Sequence, residues 1–485
     1  MLGICRLKLL FDLTTTLGRA YDPPSGTTRV ERTILSDLIA ALGANNISGI
    51  NHDRGRFVAI SAEESRLMLE IAASPGQQAA RPQNPATPSG HSRGAGFANV
   101  NASIFRRFPS LRGLGQLYLQ LFSRSARPAA AQGAWELFSG TVLTLKAIKR
   151  SFAALLRRRP AMARTTLFSP SFPALSGSNV PLFDASGHTD LLTVGNGWDY
   201  LDYERLNALR DRYGLKVHGF VHDLIAIDRP HLFHDAARAS ALHQHYAELC
   251  NICTTLICNS YATRDALTRF IAEEGLPTPV LTVAQLPVMQ AGVIPSRPPA
   301  DFDLDGRDYI VFVSTIEVRK NHLLLIKIWR ECLQEGRAMP TLVFVGHRGW
   351  GVDVVFKSIE FDPVLGDSVQ VMHDLKDEEL LWLYDHCLFS LYPSQVEGWG
   401  LPIGEALGRG KICVHAADPA QKEAAQGLMP ALHPDDFNGW KETILDLIDR
   451  PARRARLESM IRERYRPITP ADFCHQVRLA LGVSP

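Results

Sequence analysis

Two glutamates, Glu397 and Glu405, stand in the stretch YPSQVEGWGLPIGEALGRGKICV (residues 392–414), in an E-x7-E frame around a Gly-Trp-Gly turn and a proline. Ionised carboxylates accept hydrogen bonds, and vicinal hydroxyls of a sugar or a ribose would offer them. Part of the stretch has a purely local account. Pro402 suits the first turn of a helix, Glu405 suits the positive end of its dipole, and Gly398 and Gly400 suit a turn. That account leaves Glu397 unexplained, and also Trp399, which reads as exposed.

Three other places carry polar groups at the ends of apolar runs. In VSTIEVRKNHLLLI, Arg319 and Lys320 close a strand immediately before a helix. Cations are unfavourable at that end of the dipole, so the pair points to phosphate oxygens, with an exposed basic turn as the alternative. In FVHDLIAIDRP, His222 and Asp223 end a strand, either as a ligand contact or as a histidine tied to the backbone by its neighbour. In DPPSGTTRVE, Gly26 precedes a helix whose free N–H groups could meet a phosphate, and simple capping accounts for it equally. Phosphate plus polyol describes a nucleotide sugar. The histidines around His222 (His218, His231, His234, His243 and His245) fit no HExxH spacing, and no metal site is expected.

The elements that must position these groups alternate. CRLKLLFDLT reads as a strand, residues 28–42 as a helix and GRFVAIS as a strand. After residue 185 come KVHGFVHDL, TTLICNS and VLTVAQLPV as strands, with helices near 203–213, 236–253 and 261–275 between them. Past a Pro-rich linker at 292–308 the alternation restarts with YIVFVST, TLVFVG, VQVMH and LFSLYPS as strands. This pattern predicts an α/β protein of two Rossmann-like parallel-sheet domains facing across a cleft, with ligands outside the strands' carboxyl ends. The expected divisions are an amino-terminal domain at 1–291, the linker, a donor domain at 309–465 and a closing helix at 466–485. A Pro, Gly, Ala and Ser-rich stretch at 74–102 reads as a flexible insertion, followed to residue 164 by a basic helical segment. That segment suits either an anionic membrane surface or packing on its own domain.

Composition narrows the classes. The chain has 485 residues with Lys+Arg 52 against Asp+Glu 50, which argues against nucleic acid as the partner. Eight cysteines are scattered through it, and Cys250 and Cys253 lie in a helical run without a second pair, so a reduced, cytoplasmic protein is expected. MLGICRLKLLF is too short and too soon polar for a signal peptide, and no run of about eighteen apolar residues occurs.

EGWGLPIGEALGRG resembles the E-G-F-G-L-P-x-x-E-A signature of retaining glycosyltransferases of the GT-B fold, family 4. STIEVRKNHLLLI, VHDLIAIDRP and ICNSYATRDAL resemble three further segments of that family, in the same order. The resemblance implies that Glu397 meets the donor sugar and Glu405 the ribose. It places Lys320 on the diphosphate with Arg319 nearby, His222 at the reaction centre and Gly26 by the diphosphate. Gly398, Trp399, Gly400 and Leu401 would form the donor turn. It further implies hexose transfer with retained configuration from a GDP-mannose-like donor to a glycan or lipid-linked acceptor, without metal or other cofactor, by a cytoplasmic enzyme at most peripheral on the inner membrane face. Ser314 stands where many relatives have arginine, so the diphosphate would lean more on Lys320 and backbone dipoles. A GT-B epimerase or a non-catalytic scaffold of a polysaccharide assembly complex are the alternatives.

Overall fold

The computed structural model describes residues 7–20, 26–53, 56–74, 184–233, 236–288, 298–299 and 306–483. Nearly all of the expected insertion, the basic segment to residue 164 and most of the 292–308 linker lie outside them.

The first sheet has seven strands: β1 (Leu9–Asp12), β2 (Ile47–Asp53), β3 (Arg56–Ala59), β4 (Asp190–Thr193), β5 (Lys216–Val221), β6 (Thr255–Cys258) and β7 (Val280–Val283). Their spatial order is β3-β2-β1-β4-β5-β6-β7, and every pair is parallel except β2 with β3. The second sheet has six strands: β8 (Tyr309–Val313), β9 (Thr341–Val345), β10 (Val369–Met372), β11 (Ser390–Tyr392), β12 (Cys413–Ala416) and β13 (Ala431–Leu432). It is parallel throughout, in the order β10-β9-β8-β11-β12-β13. Helices cover both faces of such sheets, so central strands are apolar without alternation. TLVFV in β9 and CVHA in β12 are buried along their whole length.

Each sheet reverses its order once, between β1 and β4 and between β8 and β11. A crevice opens at such a reversal, because the loops leaving the two neighbouring strands diverge to opposite faces. The loop after β8 carries Arg319 and Lys320, and the loop after β11 carries Glu397 to Gly400. Residues 77 positions apart in sequence therefore share one strand end.

Local chemistry sets the helix ends. Ser260 caps the helix Tyr261–Glu274 by accepting from Thr263 N–H, and Gly275 closes it at φ 64° in the left-handed region. The last helix, Pro470–Ala480, returns to the first domain, where Phe473 packs edge-on against Phe220 and Arg478 pairs with Asp37.

Three expectations need correction. The strand β2, the short helix Thr14–Gly18 and the helix Asp353–Phe361 had not been expected. The helix expected at 28–42 starts at Gly26. Trp399 is 6% exposed, not a surface residue: glycines on both sides let the backbone approach, and the indole joins the hydrophobic core.

Candidate active site

Glu397 lies in the loop after β11 with its carboxylate buried among cations. Lys320 Nζ donates to Glu397 Oε1 at 2.5 Å and to Tyr392 Oη at 3.0 Å, and Tyr392 Oη donates to the same carboxylate oxygen at 3.0 Å. Arg319 Nη1 stands 2.8 Å from Glu397 Oε2. Burial alone would raise this carboxyl, but the charges of Arg319 and Lys320 more than offset it and hold Glu397 at about 2. It is ionised at every physiological pH.

Glu405 sits one turn into the helix Leu401–Gly408, is 9% exposed and accepts from Tyr384 Oη at 3.1 Å. Burial raises its pKa, opposed by the charge of Arg29. Arg29 belongs to the first turn of the helix Gly26–Leu42 and forms a two-pronged pair with Asp377, so the two domains are tied beside Glu405. A Cβ on Gly26 would stand 3.8 Å from Leu401 Cδ1. Two helix amino termini thus meet across the cleft, and their positive dipole ends converge on one region suited to an anion.

His222 follows β5, and its Nε2 lies 2.8 Å from the carbonyl oxygen of Val194. That contact requires a proton on Nε2, so in the neutral ring Nδ1 is the acceptor. Burial lowers its pKa, and the ring is neutral at pH 7. The donor-turn glycines stand against this loop. A Cβ on Gly398 would come within 2.1 Å of the His222 carbonyl oxygen, and Gly400 adopts φ 131°, which favours glycine. Ser260 Oγ donates to Gly398 O at 2.7 Å and Asn259 Nδ2 to His222 O at 2.7 Å, which fixes the two loops together.

The structure therefore brings Glu397, Lys320, Arg319, Gly398, Trp399 and Gly400 to one end of the second sheet. The backbone carbonyl of His222 faces the same turn, and Gly26, Leu401 and Glu405 stand along the adjoining helix starts. Ser314 Oγ lies 3.5 Å from His322 Nε2. Sequence reading had not singled out Glu317, Tyr384 or Tyr392, because nothing in their spacing shows that Glu317 meets Arg319, Tyr384 meets Glu405 and Tyr392 meets Glu397. Asp418 was also missed: it caps the helix Pro419–Ala424 and is pushed up to about 7, by burial first and then by the charge of Glu397.

All seven cysteines among the described residues are buried thiols, and among those residues no helix is long and apolar enough to cross a membrane.

Residues 299–464 match the family described as glycosyl transferases group 1. The chain is 28% identical over 224 residues, 42% of its length and 26% of the relative's, to the serotype-specific mannosyltransferase WbdA of Escherichia coli. It is 33% identical over 109 residues, 22% of its length and 28% of the relative's, to O-antigen chain mannosyltransferase B of Escherichia coli. The chain thus spans about a quarter of the length of the curated relatives it matches. Among solved structures, it overlays on sucrose-phosphate synthase from Thermosynechococcus elongatus with TM-score 0.48 and 19% identity, over 61% of this chain and 75% of that one. The match to the glycosyl transferases group 1 thus falls on residues 299–464, the part of the chain that carries the second of the two Rossmann-like sheets.

Proposed function

We propose that the protein transfers a hexose, with retained anomeric configuration, from a nucleotide-diphosphate sugar to a glycan or lipid-linked saccharide in polysaccharide synthesis. The observation that carries this reading is the permanently ionised Glu397, held by Lys320 and Arg319 in a turn packed against the His222 loop. A carboxylate placed so accepts from donor-sugar hydroxyls. Lys320 has an ammonium with three N–H groups, of which Tyr392 and Glu397 take two, and the third suits a diphosphate oxygen. Glu405, beside the helix start, takes the ribose.

In this scheme the bond from the anomeric carbon to the diphosphate oxygen breaks as the acceptor hydroxyl oxygen bonds to the same face of that carbon. The departing phosphate removes the hydroxyl proton. Lys320 and the converging helix starts stabilise the charge that develops on the diphosphate. His222, neutral and fixed in one tautomer, orients the sugar. No metal or cofactor is assigned a role. That the two relatives are mannosyltransferases supports mannose as the sugar, and we take a GDP-mannose-like donor.

The basic run at 146–164 lies outside the described residues. On its charge alone we assign it a peripheral contact with anionic membrane, where each Lys or Arg is worth about 1 kcal/mol near the surface.

The test is release of nucleoside diphosphate from a panel of nucleotide sugars with saccharide acceptors. Acceptor-dependent release supports transfer. An epimerised nucleotide sugar without release, or nucleotide binding without turnover, would replace this reading by the epimerase or the scaffold.

A further inference from the structure

Arg319 and Lys320 are adjacent, but their side chains are engaged differently. Among the described residues, Lys320 keeps one ammonium donor without a protein partner. Arg319 has both terminal nitrogens occupied: Nη1 donates to Val396 O at 2.7 Å and pairs with Glu397 Oε2 at 2.8 Å, while Nη2 stands 2.7 Å from Glu317 Oε1. Its backbone is tied as well, because Gln395 N–H donates to Arg319 O at 2.9 Å. The side chains of Glu317 and Arg319 are only 4% and 14% exposed. A buried carboxylate without a cation is costly, so Glu317 and Arg319 each hold the other in place. The result is a rigid Glu317–Arg319–Glu397 bridge joining the loop after β8 to the loop after β11 across the sheet's reversal point.

Resting on the glycosyltransferase reading, we infer that Arg319 is a strut and not a diphosphate ligand, and that Glu317 is a positioning residue which aims Arg319 and, through it, the Glu397 carboxylate at the donor sugar. The guanidinium does this by its planar fork, which spans two carboxylates at fixed angles. A lysine at 319 would keep the charge but not the geometry. A diphosphate ligand, by contrast, would show the substitution in nucleotide affinity, because lysine does not reproduce a two-pronged arginine contact with phosphate oxygens.

The experiment compares wild type with Arg319→Lys and Glu317→Gln. Affinities for GDP and UDP are measured by calorimetry, turnover with GDP-mannose and a saccharide acceptor, and folding by thermal melting. Both variants should keep nucleoside diphosphate affinity within about threefold while kcat falls about tenfold or more. Because Glu317→Gln is nearly isosteric, it provides the folded test should the arginine variant melt early. Wild-type kcat in Arg319→Lys, or a tenfold loss of GDP or UDP affinity in that variant, would overturn the strut. Should wild type bind neither nucleotide and release none from any donor, the donor-site reading falls first and the strut with it. Should wild type bind and turn over while Glu317→Gln matches it in both, only the positioning role is lost.

Discussion

Replacing Lys320 by methionine keeps the length of the buried stem and removes the charge. Two consequences differ in size. Toward a nucleoside diphosphate the variant lacks one charge-assisted hydrogen bond, worth roughly 1.5–3 kcal/mol, so the dissociation constant should rise by about one to two powers of ten. Toward the fold the loss is smaller, because Glu397 keeps Arg319 at 2.8 Å. Moving a carboxyl from 4.5 to about 2 represents roughly 3 kcal/mol in favour of its ionised form, shared between the two cations, so losing one should cost about 1–2 kcal/mol. The pH dependence follows in sign. Because the folded value is depressed, this stabilisation is complete above 4.5 and lost as pH falls through about 2. In the variant the folded value moves up, and less stability remains to be lost in acid. Calorimetry with GDP and UDP, with urea unfolding at pH 7 and at about pH 2.5, measures both. Unchanged nucleotide affinity in a folded Lys320→Met protein would refute the assignment of Lys320 to the diphosphate.

Glu405→Ala should weaken nucleoside diphosphate binding by about tenfold through loss of its ribose contact, and equal affinity for the nucleotide and its 2′,3′-dideoxy analogue in wild type would refute that contact. Glu397→Ala and His222→Ala should keep most of the affinity for bare GDP or UDP while turnover drops far more; a parallel loss of both would make these residues pocket walls. Since burial keeps His222 neutral, the pH–rate profile should show no limb near pH 6.5 that the His222→Gln variant removes. Asp418, at about 7 in the folded protein against an ordinary 3.8, binds its proton more tightly folded than unfolded, so its contribution to stability declines as pH rises from about 4 to 7. Asp418→Asn should flatten the urea-midpoint decline between pH 5 and pH 8, and an unaltered slope would count against the buried carboxyl.

The alternation of apolar strands and amphipathic helices was enough to expect two parallel sheets, because strands covered on both faces are continuous apolar runs such as TLVFV. The E-x7-E frame likewise marked Glu397 and Glu405, since a glycine turn that opens a helix leaves a local signature. What the sequence could not show was the spatial order of strands. That Val313 and Tyr392 end neighbouring strands follows from packing, and on it depends the contact of Lys320 with Glu397. The same holds for Glu317, which reads as an ordinary strand-end residue until Arg319 is seen between two carboxylates. Trp399 was misread because glycines on both sides suggest an exposed loop, whereas here they permit the close approach that buries the indole. The helix Asp353–Phe361 was hidden between GHRGWG and a following Asp-Pro, too short for a clear period.

The most direct test of the central claim is the anomeric configuration of the product. The enzyme would be incubated with GDP-α-mannose and a mannoside acceptor, and the new linkage read from its one-bond carbon–proton coupling by NMR. The account predicts an α-linked product formed in step with GDP release. A β-linked product, or an epimerised nucleotide sugar with the acceptor untouched, would contradict it.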